Sequence, residues 1–215
     1  MNFLMFGAPM AGKGTLANML AEKYDLPTIS MGELLRNTSN PTVKDYQAKG
    51  MMVPMQIVLD VIKERLQEED VQNGYILDGF PRTPEQLTEF VNQKIANIDV
   101  VVDLEVPYET LLSRVTGRRT CKGCGYIYNT NWNLGYDECP KCGGEWGIRS
   151  DDNEETYKKR FDVYLSETLP ILEYFKKEGK VVVVEGESDP EESYQNMINA
   201  FKSSNINGLK EFIEG

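Results

Sequence analysis

The chain has 215 residues, 40% of them hydrophobic, with a formal net charge of −11 and no histidine. That length can bury a large core and the hydrophobic share is ordinary for a globular protein, while the acidic balance argues against a nucleic-acid or anionic-membrane surface. No run approaches 18 apolar residues and no basic-then-apolar leader opens the chain, so the reading is a cytoplasmic protein with no membrane partner.

In chain order, apolar strand-like runs alternate with helical stretches. Strands are expected at residues 2–6, 28–30, 75–78, 100–105 and 181–185, and helices at 13–24, 55–69, 84–94 and 108–116. A long helix is expected over 154–178, with Pro170 as a break or kink. Val58, Ile62 and Leu66 recur every four residues, which suits one buried helix face. The runs Val100-Val101-Val102 and Val181-Val182-Val183-Val184 are apolar without alternation, as parallel strands covered on both faces should be. Together these predict an α/β fold, a doubly wound parallel sheet of five strands. Two stretches break the alternation: a small helical insert at 30–53, and a segment at 117–152 that holds all four cysteines and both tryptophans. The remaining residues, 1–29, 54–116 and 153–215, form the core, with 203–215 as a loop and short closing helix.

The first strand runs into Gly7-Ala8-Pro9-Met10-Ala11-Gly12-Lys13-Gly14-Thr15. Gly7, Gly12 and Lys13 fit the G-x-x-x-x-G-K spacing of a phosphate-binding loop. Glycines let backbone N–H groups turn inward around an oxyanion, the following helix adds its positive end, and Lys13 supplies a mobile point charge. Gly14 stands where the generic motif has Ser or Thr, and Thr15 follows one residue later. The cysteines read Cys121-x-x-Cys124, fourteen residues, Cys139-x-x-Cys142. In a reducing compartment two such knuckles point to a tetrahedral metal site rather than disulfides, Zn²⁺ first and a rubredoxin-type iron second. Four thiolates leave no open position, so the metal is structural. Arg36, Arg82, Arg114, Arg118, Arg119, Arg149 and Arg160 stand mainly at insert hinges and strand ends, where bidentate phosphate contacts are expected. Asp78 ends a strand and either caps the turn Gly79-Phe80-Pro81-Arg82 or holds Mg²⁺ through water.

In these stretches the chain resembles adenylate kinase of the long bacterial type with a zinc-binding lid. The resemblance rests on Gly7 to Thr15, Ser30-Met31-Gly32-Glu33-Leu34-Leu35-Arg36, Leu77-Asp78-Gly79-Phe80-Pro81-Arg82, Gln86, Gly117-Arg118-Arg119, the four cysteines, and Arg149 through Arg160. It implies the reaction ATP plus AMP giving two ADP, with Mg²⁺, in a monomer whose zinc is confined to the lid. Met10, Ala11, Gly12, Lys13, Gly14 and Thr15 would hold ATP phosphates, Arg114 would lie against the ATP base, and Ile127, Tyr128 and Ser188 would touch ATP. Arg36 and Arg82 would hold the AMP phosphate and Gln86 its adenine, with Met31, Met51, Met52, Val53, Gly79, Phe80 and Pro81 around them. Arg118, Arg149 and Arg160 would converge on the phosphoryl in flight. The chain departs from the family at Met10, usually glycine, at Met31, usually threonine, and at Met55-Gln56, usually an acidic pair. Readings kept beside this one are a kinase for another nucleoside monophosphate, a catalytically weakened nucleotide sensor, and a zinc-ribbon interaction protein.

Overall fold

The computed structural model describes residues 1–48, 53–132, 135–149 and 152–215. Five parallel strands form one sheet: β1 (Asn2–Gly7), β2 (Thr28–Ser30), β3 (Tyr75–Asp78), β4 (Val100–Glu105) and β8 (Val181–Glu185), in the order β2-β3-β1-β4-β8. Strands β5 (Arg118–Cys121), β6 (Ile127–Asn129) and β7 (Trp146–Gly147) form a separate antiparallel sheet. The expected strand positions agree with the five parallel strands, except that β1 runs on to Gly7.

Both faces of the parallel sheet are covered, which is why its strands need no polar alternation. Phe3 and Met5 of β1, Val100 and Val102 of β4, and Val182 and Val184 of β8 face one apolar cluster. Helices α1 (Lys13–Tyr24), α6 (Tyr108–Gly117) and α9 (Pro190–Ser203) supply its other wall through Leu16, Leu20, Leu111, Val115, Met197 and Phe201. Leu4, Phe6, Leu77 and Val101 face the opposite cluster, packed against α4 (Met55–Arg65) and α8 (Leu169–Lys177) through Val58, Leu59, Ile62, Ile171, Leu172 and Phe175. Full burial of each such side chain is worth about 1.5–3 kcal/mol, so this double layer dominates the stability.

One helix boundary is corrected, one expected break is located, and one helix is added. The helix expected over 55–69 stops at Arg65, and a 3₁₀ turn at Glu69–Val71 follows. The break expected at Pro170 in the long helix over 154–178 is found as a widened turn just before it: α7 (Glu154–Val163) passes through a π-turn at Tyr164–Thr168 into α8, with Pro170 in the first turn of α8. Proline has no N–H to give the preceding turn and its ring crowds that turn's carbonyl, so a widened turn just before it admits the ring without ending the rod. Residues 190–203, unassigned in the sequence reading, form α9, whose start is capped by Asp189 accepting from the N–H of Glu192 at 3.0 Å. The insert holds α2 (Met31–Asn37) and α3 (Pro41–Ala48), and α5 (Pro84–Asn92) begins at Thr83, whose hydroxyl accepts from the Gln86 N–H. The closing helix is α10 (Leu209–Glu214). No helix among the described residues is long and apolar enough to cross a membrane.

Asp103 sits in β4 between Phe6 and Val183 and is only 3% exposed. Burial, and then the neighbouring Glu105, push its carboxyl up to about 6, with Lys176 opposing. A carboxyl raised in the fold contributes stability that is complete below the unfolded pKa and is lost as pH rises through 6. Asp103→Asn is therefore expected to stabilise the protein by about 2 kcal/mol at pH 7.5. The gain should shrink as pH falls toward 4, and thermal melts across that range measure it.

Candidate active site

The loop between β1 and α1 takes a shape that most residues resist. Gly7 and Gly12 have φ of 134° and 103°, and a Cβ on Gly7 would lie 2.7 Å from the Leu104 carbonyl oxygen. Met10 also has a positive φ, 70°, a left-handed backbone that costs an ordinary residue about 1–2 kcal/mol. Its side chain packs against the apolar cluster under α1, which offsets part of that cost. The Lys13 ammonium donates to the carbonyls of Gly7 and Ala8 at 2.9 and 2.8 Å, so it lies folded over the loop.

Parallel pairing of β1 with β3 sets Asp78 level with Met5, two residues before Gly7. A Cβ on Gly14 would lie 3.9 Å from the Asp78 carboxylate, an ordinary contact distance that puts this carboxylate beside the loop. Desolvation lowers the Lys13 ammonium to about 8, Asp78 opposes that, and Arg82, Arg160 and Arg118 add to it. Lys13 thus feels three guanidinium groups and one carboxylate in a chain of net charge −11. The Arg82 guanidinium is held below its ordinary range, first by desolvation and then by Arg160 and Arg36, again with Asp78 opposing. It lies back over Gly79, donating through Nε to that carbonyl at 2.6 Å, while its own N–H donates to the Gln86 side-chain oxygen at 2.7 Å. The Thr168 hydroxyl in the π-turn donates to the Arg82 carbonyl at 2.8 Å, so that turn buttresses the arginine from behind.

Other arginines have partners that the sequence did not reveal. Arg118 forms a bidentate pair with Asp152, whose side chain is 2% exposed. Arg149 donates through Nε to the Thr120 hydroxyl at 3.2 Å. Arg114 is buried and donates to four carbonyls, those of Ala11 at 3.1 Å, Gly186 at 2.7 Å, Glu187 at 2.9 Å and Ser188 at 3.3 Å. It thereby staples the phosphate loop to the loop after β8. Beside that staple opens a cavity of about 390 Å³, walled by Thr15 and Met19 of α1, by Ile127, Tyr128 and Trp132, and by Pro190.

On the far side of Asp78, Arg36 folds back on α2, where a Cβ on Gly32 would lie 3.2 Å from its guanidinium. Phe80 is buried, its peptide bond to Pro81 is cis, and Val53 packs partly against the same cluster. Met31 is 4% exposed and belongs to that cluster as a core side chain. Met51 and Met52 lie outside the described residues.

All four cysteines are free thiols, and their sulfurs lie within 4.8 Å of one another. Cys121 to Cys142 and Cys124 to Cys139 measure 3.4 and 3.6 Å. A thiolate tetrahedron at Zn–S of about 2.3 Å has edges of about 3.8 Å, so the donor set and spacing fit. A Cβ on Gly144 would lie 2.9 Å from the Cys121 sulfur, so glycine lets the second knuckle close. The module is tied to α6 through Asn129, whose amide donates to the Arg114 carbonyl at 2.9 Å and whose oxygen leaves no room for a side chain at Gly117.

Residues 5–180 match the family model described as adenylate kinase. An adenylate kinase of Caldicellulosiruptor bescii is 41% identical over 211 residues, covering 93% of this chain and 98% of its own length. That of Clostridium tetani is 39% identical over 216 residues, with coverages of 95% and 100%. That of Archaeoglobus fulgidus is 41% identical over 202 residues, with coverages of 89% and 93%.

The crowding at Lys13 has a measurable consequence. A polyphosphate bound against the loop raises the ammonium's pKa again, so binding takes up a proton above pH 8. Calorimetry of nucleoside triphosphate binding at pH 8.5, in buffers of different ionisation enthalpy, is expected to show that uptake. Lys13→Arg, which stays charged, is expected to abolish it.

Proposed function

The chain belongs to the adenylate kinase family and transfers a phosphoryl group reversibly from ATP to AMP, giving two ADP; from that premise we propose which of its residues carry each part of the reaction. Met10 to Thr15 hold the donor phosphates, with Lys13 on the end that is transferred. The donor base occupies the cavity beside Arg114, Ile127, Tyr128 and Ser188. Arg36 and Arg82 hold the AMP phosphate and Gln86 its base, within a pocket bordered by Met31, Met51, Met52, Val53, Gly79, Phe80 and Pro81. Arg118, Arg149 and Arg160 meet the phosphoryl in flight. Residues 30–53 act as the monophosphate-binding insert and 117–152 as the lid, over a core of 1–29, 54–116 and 153–215.

The observation that carries this reading is the left-handed loop of Gly7, Met10 and Gly12 with the Lys13 ammonium folded over it, in the field of Arg82, Arg160 and Arg118 and of Asp78. Such a cluster repels itself in the free protein and is relieved by a polyphosphate. Phosphoryl transfer needs little covalent help, since positioning and neutralisation of equatorial oxygens do most of the work. That suits a site without histidine. Asp78, beside the loop at Gly14, is the carboxylate that would hold Mg²⁺ through water, and the ion would neutralise phosphate charge when bound. Cys121, Cys124, Cys139 and Cys142 would hold one structural Zn²⁺, which fixes the two knuckles of the lid. Free thiols as ligands suit a reducing cytoplasm, where the chain would act as a monomer.

Arg118 and Arg160 should act on the transition state more than on the bound nucleotide. Arg118→Ala and Arg160→Ala are each expected to lower kcat by about 10²–10³-fold. ATP Kd measured by titration should move far less. A raised Kd with unchanged kcat would assign these residues to binding instead.

A further inference from the structure

The donor-base cavity has walls from separate parts of the chain. One is α1, contributing Thr15, Met19 and Glu22; the other is the cysteine module, contributing Tyr126, Tyr128 and Lys141. An ion pair spans them. The Lys141 ammonium donates to the Glu22 carboxylate and lies 5.4 Å from the centre of the Tyr126 ring, within cation–π range. Lys141 is placed for this by its knuckle, because it stands between Cys139 and Cys142. The Gly143 N–H donates to the Cys139 carbonyl at 2.8 Å, and the Cys139 N–H to that of Gly144 at 3.0 Å. Glu22 is placed by α1, the helix that begins at Lys13.

We propose that Lys141 and Glu22 are positioning residues for the donor nucleotide, holding the aromatic wall of the cysteine module over α1 so that the base cavity is closed on its outer side. The inference rests on the reading of this cavity as the donor-base site. Two further acids, Asp189 and Glu191, line the cavity, and Lys141 is the cation among its lining residues. Removing Lys141 therefore opens the wall and leaves Glu22 as one more negative charge facing an anionic ligand. Both side chains are partly open to solvent, so the pair acts within the modest range of exposed ion pairs.

The test is a charge swap in the metal-loaded protein, read by steady-state kinetics and by ATP titration. Lys141→Glu is expected to raise the KM and Kd for ATP by about two- to fivefold, the range that exposed ion pairs support, and Glu22→Lys to raise them less, because the opened wall is partly offset by the added cation. KM for AMP and zinc content should be unchanged, and the double swap should restore the ATP constants. Single variants with unaltered ATP constants, or a double swap that restores nothing, would overturn the proposal. Pro190→Trp, which fills the cavity from α9, an element that carries neither member of the pair, separates the two layers of the argument. If it leaves ATP binding unchanged, the cavity is not the donor-base site and the proposal falls with that reading. If it weakens ATP binding while the swaps do nothing, the cavity reading stands and the pair is excluded.

Discussion

Like charges held close together around a single carboxylate are the constraint on which the rest of this structure depends. Desolvation lowers both the Lys13 ammonium and the Arg82 guanidinium, Arg160 adds to both, Arg118 to the first and Arg36 to the second, and Asp78 opposes in each case. In free protein that arrangement is unfavourable, so each cation must be fixed by something that does not neutralise the site. Backbone carbonyls serve that purpose. Gly7 and Ala8 accept from Lys13, and Gly79 accepts from Arg82. Arg118 is held differently, since Asp152 meets it with a full charge and holds its plane.

The scaffold is organised to keep those carbonyls in place. The phosphate loop is shaped by the left-handed turns at Gly7, Met10 and Gly12, and is tied down between the last two by Arg114 bonded to Ala11. Because Arg114 also takes three carbonyls after β8, the loop after β1 and the loop after β8 move as one body. Two apolar clusters on either side of the sheet hold the strand ends level, so Asp78 and the loop stay adjacent. Ligand chemistry then collects at the carboxyl ends of the strands, as in other open parallel sheets.

Much of this was readable in the residues. Strands β2, β3, β4 and β8 and helix α1 stand where runs such as Val100-Val101-Val102 and the stretch after Gly12 placed them, because local pattern and burial agree there. The loop and the cysteine knuckles were legible because their chemistry dictates spacing. What escaped depends on contacts far apart in the chain. Arg118 and Asp152 are 34 residues apart, and Lys141 and Glu22 are 119 apart. No local pattern marks either pair. Arg114 gave no sign that it would be buried against four carbonyls. Helix α9 was missed although Asp189-Pro190-Glu191-Glu192 is a legible start signal, since the residues after it looked like a tail. Met31 and Pro170 show tertiary context deciding, one by filling a core gap and the other by widening a turn that stays helical overall.

The central claim is that the cation cluster is held at a cost to the free fold so that a polyphosphate can relieve it. Lys13→Met tests it most directly, because it removes the desolvated ammonium while keeping an unbranched chain of similar size. Thermal unfolding of the nucleotide-free protein at pH 7 should show a melting temperature equal to or above that of the natural chain, with ADP formation from ATP and AMP lost. A variant that melts lower would show that the ammonium holds the fold together, and one that keeps its turnover would show that the charge at Lys13 is not needed for the reaction.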